Sequence, residues 1–300
     1  MLRFYIAFYA AKLTRLLLNI CRRNGTQVPG KVALAICPNF LKYIAKPEKI
    51  IAITGTNGKT TVSNLLDDSL EKAGMKVINN RLGGNILSGI CVSFLMGTGF
   101  TNKSKADIAV IEMDERSSLK VLPNMKPTYL LCTNLFRDSI RRNAHPEFIF
   151  DIINKAIPED TKLILNADDL ISSQLGTEKN EKTYFSIDKL PTDLTKSINI
   201  INDVRICPKC SSKLKYNYVR YHHIGNAYCP NCNFKSPDSD YRITKVDYEN
   251  KLIEVEANGN KSSYKMLSDS IFNLYNMIAV ITALDKLGIE KDKVKEIIDN

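Results

Sequence analysis

The chain has 300 residues, with 42 Lys and Arg against 32 Asp and Glu, for a formal charge of +10. Hydrophobic residues make up 44% and charged residues 25%, a globular composition that excludes a disordered, collagenous or disulfide-stapled chain. No apolar run reaches the ~20 residues of a bilayer span, which excludes a polytopic membrane protein, and the length suits about two domains or one large α/β domain with an insertion.

Residues 2–20 (LRFYIAFYAAKLTRLLLNI) are apolar but interrupted by Arg3, Lys12 and Arg15, and no small-residue cleavage site follows. Their spacing predicts an amphipathic helix. It either packs on the domain core or lies on a membrane surface through its apolar face and flanking basic residues. Residues 1–47 hold eight Lys and Arg and no acid; residues 204–237 hold six and no acid, so the rest of the chain is net acidic at −4. Two such patches are either solvated surface or contacts for an anionic partner: nucleic acid, phospholipid or pyrophosphate.

Residues 49–54 (KIIAIT) predict a strand ending at a glycine turn. A helix follows over 60–73, with Val62, Leu65, Leu66 and Leu70 on one face and Gly74 closing it. Further strands are expected at 76–79, 107–113, 128–133 and 162–166, with a helix at 146–156. Buried strands alternating with helices imply an α/β fold with a mostly parallel, doubly wound sheet. After about residue 195 the pattern changes: strands at 241–247 and 252–257 alternate as antiparallel strands do, and helices return at 271–287 and 290–298. The expected organisation is a lead-in over 1–48 and one domain over 49–300, with an insertion at about 204–237.

That insertion carries Cys207, Cys210, Cys229 and Cys232 as two C-x2-C pairs. With no secretory signal the spacing fits a reducing cytosol and a closed, structural tetrahedral Zn²⁺ site. His222 and His223 lie between the pairs, as alternative ligands or as packing residues. Cys21, Cys37, Cys91 and Cys132 are scattered singly among apolar neighbours and read as buried, reduced thiols.

The most informative stretch is Thr54-Gly55-Thr56-Asn57-Gly58-Lys59-Thr60-Thr61, between strand and helix. Glycines let backbone N–H groups close on phosphate oxygens, and the helix N-terminus favours negative charge. Lys59 would reach the β/γ-phosphates and Thr60 would ligate Mg²⁺, although Ile53 occupies the first glycine position of the common motif. A second carboxylate on the Mg²⁺ side is expected at the carboxyl end of a neighbouring strand, where Glu112 is the first candidate and Glu115 the second. Asn80, Arg81 and Asn85 either line a substrate cleft or shape a turn. His145, before a proline, is assigned no role, and the stripe over 271–287 reads as helix core.

These segments resemble the Mur ligase family of ATP-dependent ligases. Thr54–Thr61 matches the family's phosphate loop, and Glu112 falls at its Mg²⁺ glutamate. Asn134–Asp138 (NLFRD) and Leu165–Asp169 (LNADD) match two later segments, the second near the adenine, and Asn273–Asn276 matches a helix start. Ser139 replaces the histidine usual in the family. The basic N-terminal helix, Asn80–Asn85 (NRLGGN) and the four-cysteine insertion resemble, within the family, the synthetase subunits of lipid II isoglutaminyl synthase. The resemblance implies ATP binding by Gly55–Thr61 and Asn166, catalytic roles for Lys59 and Glu112, and Mg²⁺ on Thr60 and Glu112. It implies that the α-carboxyl of D-glutamate in lipid II is activated as an acyl phosphate. Ammonia from a GatD-like glutaminase subunit, in a heterodimer, then amidates it. The expected site of action is the cytoplasm, at the inner face of the membrane, with the family's C-terminal domain absent from these residues. Other members that add amino acids or extend folates are the alternative. A zinc-ribbon, nucleic-acid-binding ATPase ranks a distant third.

Overall fold

The computed structural model describes residues 1–22, 25–82, 84–137, 146–198 and 204–299. In chain order the elements begin α1 (Leu2–Ile20), α2 (Val28–Ile36), α3 (Phe40–Tyr43), β1 (Lys49–Thr54), α4 (Lys59–Lys72), β2 (Val77–Asn79), α5 (Leu87–Met96) and β3 (Ile108–Glu112). Next come α6 (Ser118–Met125), β4 (Tyr129–Cys132), α7 (Pro146–Ala156), β5 (Lys162–Asn166), β6 (Lys182–Ile187), β7 (Lys215–Tyr221) and β8 (Ile224–Tyr228). The last are β9 (Tyr241–Asp247), β10 (Leu252–Ala257), β11 (Asn260–Lys265), α8 (Ile271–Lys286) and α9 (Lys291–Asp299).

A nine-stranded sheet runs in the order β11-β10-β9-β6-β5-β4-β1-β3-β2. Strands β1 to β6 pair in parallel, β9 joins β6 in parallel, and β10 and β11 extend the edge antiparallel. β1 lies between β3 and β4 with both its faces buried, which is why KIIAIT is a continuous apolar run rather than an alternating one. Its side chains divide between two cores. Ile51 and Ile53 meet α4, α8 and α9, whereas Ile50 and Ala52 meet α1, α3, α5, α6 and α7. The result is a three-layer α/β/α arrangement with the carboxyl ends of β1, β3, β4 and β5 along one rim.

The predicted N-terminal helix is α1, and one face of it packs on the core. Phe4, Ala7, Phe8 and Ala11 are buried in the same cluster as α2, α3 and α5. Of the four single cysteines, Cys37, Cys91 and Cys132 are buried as expected, but Cys21 is exposed because it lies past the end of α1, beyond the face that packs on the core. α2 approaches α5 so closely that a Cβ on Gly30 would fall 1.9 Å from the Ser88 carbonyl oxygen. Among the described residues, no helix is long and apolar enough to cross a membrane.

The cysteine segment is inserted between β6 and β9. Its hairpin β7–β8 forms a separate two-stranded sheet with a small cluster of its own around Leu214, Ala227 and Phe234. Arg220, counted above with the basic patch, is buried at 3% exposure and is committed to the fold. Lys235 is paired with Asp238 at 3.0 Å.

Candidate active site

The loop after β1 turns on two glycines. Gly55 has φ +129° and Gly58 φ +85°, both in the region that favours glycine, and Gly58 caps the start of α4. Neither position has room for a side chain: a Cβ on Gly55 would meet Thr133 Oγ1 at 2.2 Å, and one on Gly58 would meet Asn276 Oδ1 at 2.4 Å. The segment after β4 clasps the loop from the side. Thr56 N–H donates to the Asn134 carbonyl at 2.7 Å, and Asn57 N–H donates to Asn134 Oδ1 at 3.0 Å. The Asn134 amide and the Thr133 hydroxyl both donate to the Asn57 carbonyl. Thr56 Oγ1 is bonded to both the backbone N–H and the carbonyl of Phe136, at 3.1 Å each. Such double clasping fixes the loop conformation before any ligand is bound.

Lys59 lies at the start of α4, folded back on its own loop. Its ammonium donates to Glu115 Oε1 at 2.9 Å and to the Thr56 carbonyl at 3.2 Å. Burial pushes the Glu115 carboxyl above its ordinary value, while Lys59 pulls the other way. Glu112 ends β3 and is held differently. Asn80 brackets its backbone, accepting from the Glu112 N–H at 2.9 Å and donating to its carbonyl at 2.8 Å. Asn85 donates to Glu112 Oε1 at 3.2 Å. Arg81 turns away to α4, pairing with Asp68 at 2.7 Å and bonding Asn64. Thr60 and Thr61 stand exposed on the first turn of α4.

Asn166 ends β5 fully buried. Its amide donates to the Thr133 carbonyl at 3.1 Å, and its oxygen accepts from the Asp168 N–H. The loop residues, Lys59, Glu112, Glu115, Asn80 and Asn85 therefore share one rim, with Asn166 beneath it. Asp138, Ser139, His145 and Gly83 lie outside the described residues.

The four cysteine sulfurs of the insertion all lie within 4.8 Å of one another, with Cys207–Cys232 at 3.5 Å and Cys210–Cys229 at 3.4 Å. A tetrahedral ion bonded at ~2.3 Å separates its sulfurs by about 3.8 Å, so four thiolates so placed fit one closed metal site. Neither His222 nor His223 belongs to this donor group. Instead both reach the nucleotide loop's surroundings from the β7–β8 turn. His222 stacks on Phe136, and fully buried His223 meets Asp169 Oδ1 through Nε2 at 2.8 Å. Asp169 in turn accepts from the Leu135 N–H at 2.6 Å.

Sequence reasoning passed over Arg220. Its guanidinium bonds Asp168 at 3.0 Å, Asp193 at 2.9 Å, the Tyr275 hydroxyl at 2.6 Å and the Ile187 and Asp188 carbonyls. Asp168 also accepts from Tyr218 and Tyr275. Burial pushes its carboxyl up, and Arg220 and the tyrosine hydroxyls oppose that. Lone basic residues between two cysteine pairs give no sign in sequence of being buried.

Residues 53–231 match the Mur ligase middle domain. The chain belongs to the Mur ligase family. It is 33% identical over 296 residues to the MurT subunit of lipid II isoglutaminyl synthase (glutamine-hydrolyzing) from Staphylococcus aureus, covering 98% of this chain and 65% of that protein. It is 31% identical to the corresponding subunit from Streptococcus pneumoniae, over 91% of this chain and 60% of that one. The chain thus spans somewhat under two thirds of these relatives' length. Among solved structures, a pseudomurein peptide ligase type C from Methanothermus fervidus superposes with a TM-score of 0.68 at 28% identity, over 86% of this chain and 50% of that chain. MurF ligase from Thermotoga maritima, solved with ADP, superposes at 0.56 with 16% identity, over 91% and 52% of the two chains, and shares the fold.

Proposed function

We propose that these residues form the nucleotide-binding part of an ATP-dependent carbon–nitrogen ligase of peptidoglycan synthesis, one that amidates the D-glutamate α-carboxyl of lipid II. The observation that carries this reading is the clasped phosphate loop with Lys59 and two strand-end glutamates, in a chain alike over nearly its whole length to MurT.

In this reading the backbone N–H groups of Gly55–Thr61 and the α4 N-terminus receive the phosphates. Lys59 leaves Glu115 for the γ-phosphoryl and neutralises charge that builds there. Mg²⁺, when bound, offsets the charge of the phosphate oxygens; Thr60 and Glu112 would hold it, with Asn80 and Asn85 fixing the Glu112 backbone and carboxylate. A carboxylate oxygen of the substrate attacks the γ-phosphorus and ADP departs. Ammonia, supplied by a GatD-like glutaminase partner, then attacks the acyl carbon, and phosphate leaves. Asn85 borders the side from which substrate would approach, whereas Asn80 is committed to the Glu112 backbone and Arg81 to Asp68 and Asn64. Zn²⁺ in the four-cysteine site is structural, because all four positions are filled by thiolates. A lipid-linked substrate would be met at the cytoplasmic membrane face.

The test is calorimetric titration of the chain with ATP, with and without Mg²⁺, followed by glutamine- and ATP-dependent amidation of lipid II by the protein with its glutaminase. Lys59→Ala is expected to abolish both. Normal nucleotide affinity in that variant would sink the reading.

A further inference from the structure

α1 has two apolar faces, and the core uses one. On the opposite side Leu2, Ile6, Leu13, Leu16, Leu17 and Ile20 are 53–78% exposed, and Tyr5 and Tyr9 are 38% and 49% exposed. At 100° per residue these eight fall within one arc of about 120°, centred opposite Phe4, Ala7, Phe8 and Ala11. The helix cannot roll to hide them. Lys12 donates to the Thr98 carbonyl at 2.7 Å, and Arg3 bonds the Ile36 carbonyl. The apolar surface continues onto Phe100, 76% exposed, whose carbonyl accepts from the Tyr9 hydroxyl.

The charge carried by α1, α2, α3 and α5 is of one sign. Neither 1–47 nor 82–106, which hold these helices, contains an Asp or Glu; the acids of this layer, such as Glu147 and Asp151, lie on α7. Exposed Arg3, Arg22, Lys31, Lys42, Lys103 and Lys105 are distributed over these two segments, with Arg15 half-buried on α1 itself. A fixed helix with an outward apolar stripe, aromatic rings and cations on its own and its neighbouring helices is complementary to an anionic lipid interface.

We propose that the outward face of α1, extended by Phe100, docks this domain flat on an anionic bilayer. Apolar insertion supplies the hold and the surrounding cations supply the preference for charge. The proposal is independent of the amidation reading, because vesicles carrying no lipid-linked peptide test it.

The experiment is flotation of the 300-residue chain with vesicles of phosphatidylglycerol in phosphatidylcholine, against phosphatidylcholine alone, at low and high salt. Sedimentation velocity without lipid runs alongside. Wild type is expected to float with the anionic vesicles and less at high salt. Leu13→Glu with Leu17→Glu, both on the exposed arc, should lower the bound fraction at least about tenfold with an unchanged melting temperature. Lys42→Glu with Lys103→Glu should reduce the preference for anionic over neutral vesicles. Absence of flotation, or equal flotation by the Leu13/Leu17 variant, overturns the proposal. So does a wild-type dimer that fails to float and that the same variant dissociates, since a second copy would then be the occupant.

Discussion

The His222 imidazole lies on the Phe136 ring, 4.8 Å between centroids and with the planes 22° apart. Phe136 is the residue whose backbone N–H and carbonyl hold Thr56 of the phosphate loop. The tip of the cysteine-bearing hairpin is therefore one residue removed from the loop. A stacked pair of this kind contributes roughly 0.5–1.5 kcal/mol. If that energy helps fix Phe136, His222→Ala should weaken ATP binding about three- to tenfold, with metal content unchanged. Calorimetry on the folded variant checks it, and wild-type affinity would show that the stack is mere packing.

Arg220 ties the same hairpin to the sheet. At 3% exposure it faces two carboxylates that are themselves 1% and 3% exposed. Arg220→Met leaves Asp168 and Asp193 buried without a cation, and breaking one side of a buried pair costs about 3–5 kcal/mol. The urea unfolding midpoint should fall accordingly. Arg220→Lys should restore only part of the loss, since an ammonium cannot span both carboxylates and the Ile187 and Asp188 carbonyls as the planar fork does.

Glu112 and Glu115 can be told apart by their partners. Glu115 is paired with Lys59 and, on the proposed reading, would compete with phosphate for it, whereas Glu112, held by Asn80 and Asn85, has no cation beside it among the described residues. Glu112→Gln should abolish the gain in ATP affinity on adding Mg²⁺, by at least about tenfold. Glu115→Gln should keep that gain and bind ATP no more weakly than wild type. Reversed behaviour of the two variants would move the metal role to Glu115.

Much of this was legible in the sequence because the chemistry is local. The phosphate loop needs glycines where φ is positive and a helix directly after, and both are written in eight consecutive residues. The strands β1, β3, β4 and β5 are buried on both faces and show as apolar runs. α5 was not foreseen: eight of its ten residues are buried, so it has no polar face to mark a helical period. α6 carries Pro123 within it, which reads as a helix breaker. Arg220 and Phe136 depend on tertiary neighbours distant along the chain, such as Asp168, Tyr275 and Thr56, and no local pattern encodes them.

The pH dependence of stability carries the mark of Glu115. Its folded pKa is raised from the ordinary value of 4.5, chiefly by burial. The folded state therefore holds this proton more tightly than the unfolded state does. That contribution is fully present below about pH 4.5 and is lost as pH rises through the folded pKa. Glu115→Gln removes the titration. Relative to the variant, wild type should lose stability as pH rises from 4.5 toward neutrality, measured by urea unfolding at each pH. A difference independent of pH would show that burial does not penalise the carboxylate there.

The four cysteine sulfurs converge in a segment whose own apolar cluster has only a few side chains around Leu214, Ala227 and Phe234, too few to hold a hairpin without a cross-link. Cys210→Ser, or a strong chelator, should lower bound zinc from about one ion per chain and remove amide-exchange protection from β7 and β8. The β1–β6 sheet has its own two cores and should keep its protection. Because Arg220 and His222 hang from this hairpin, ATP affinity should fall with the zinc and return when zinc is restored. Loss of zinc with full hairpin protection and full affinity would mean that the Arg220 network alone holds the tip in place.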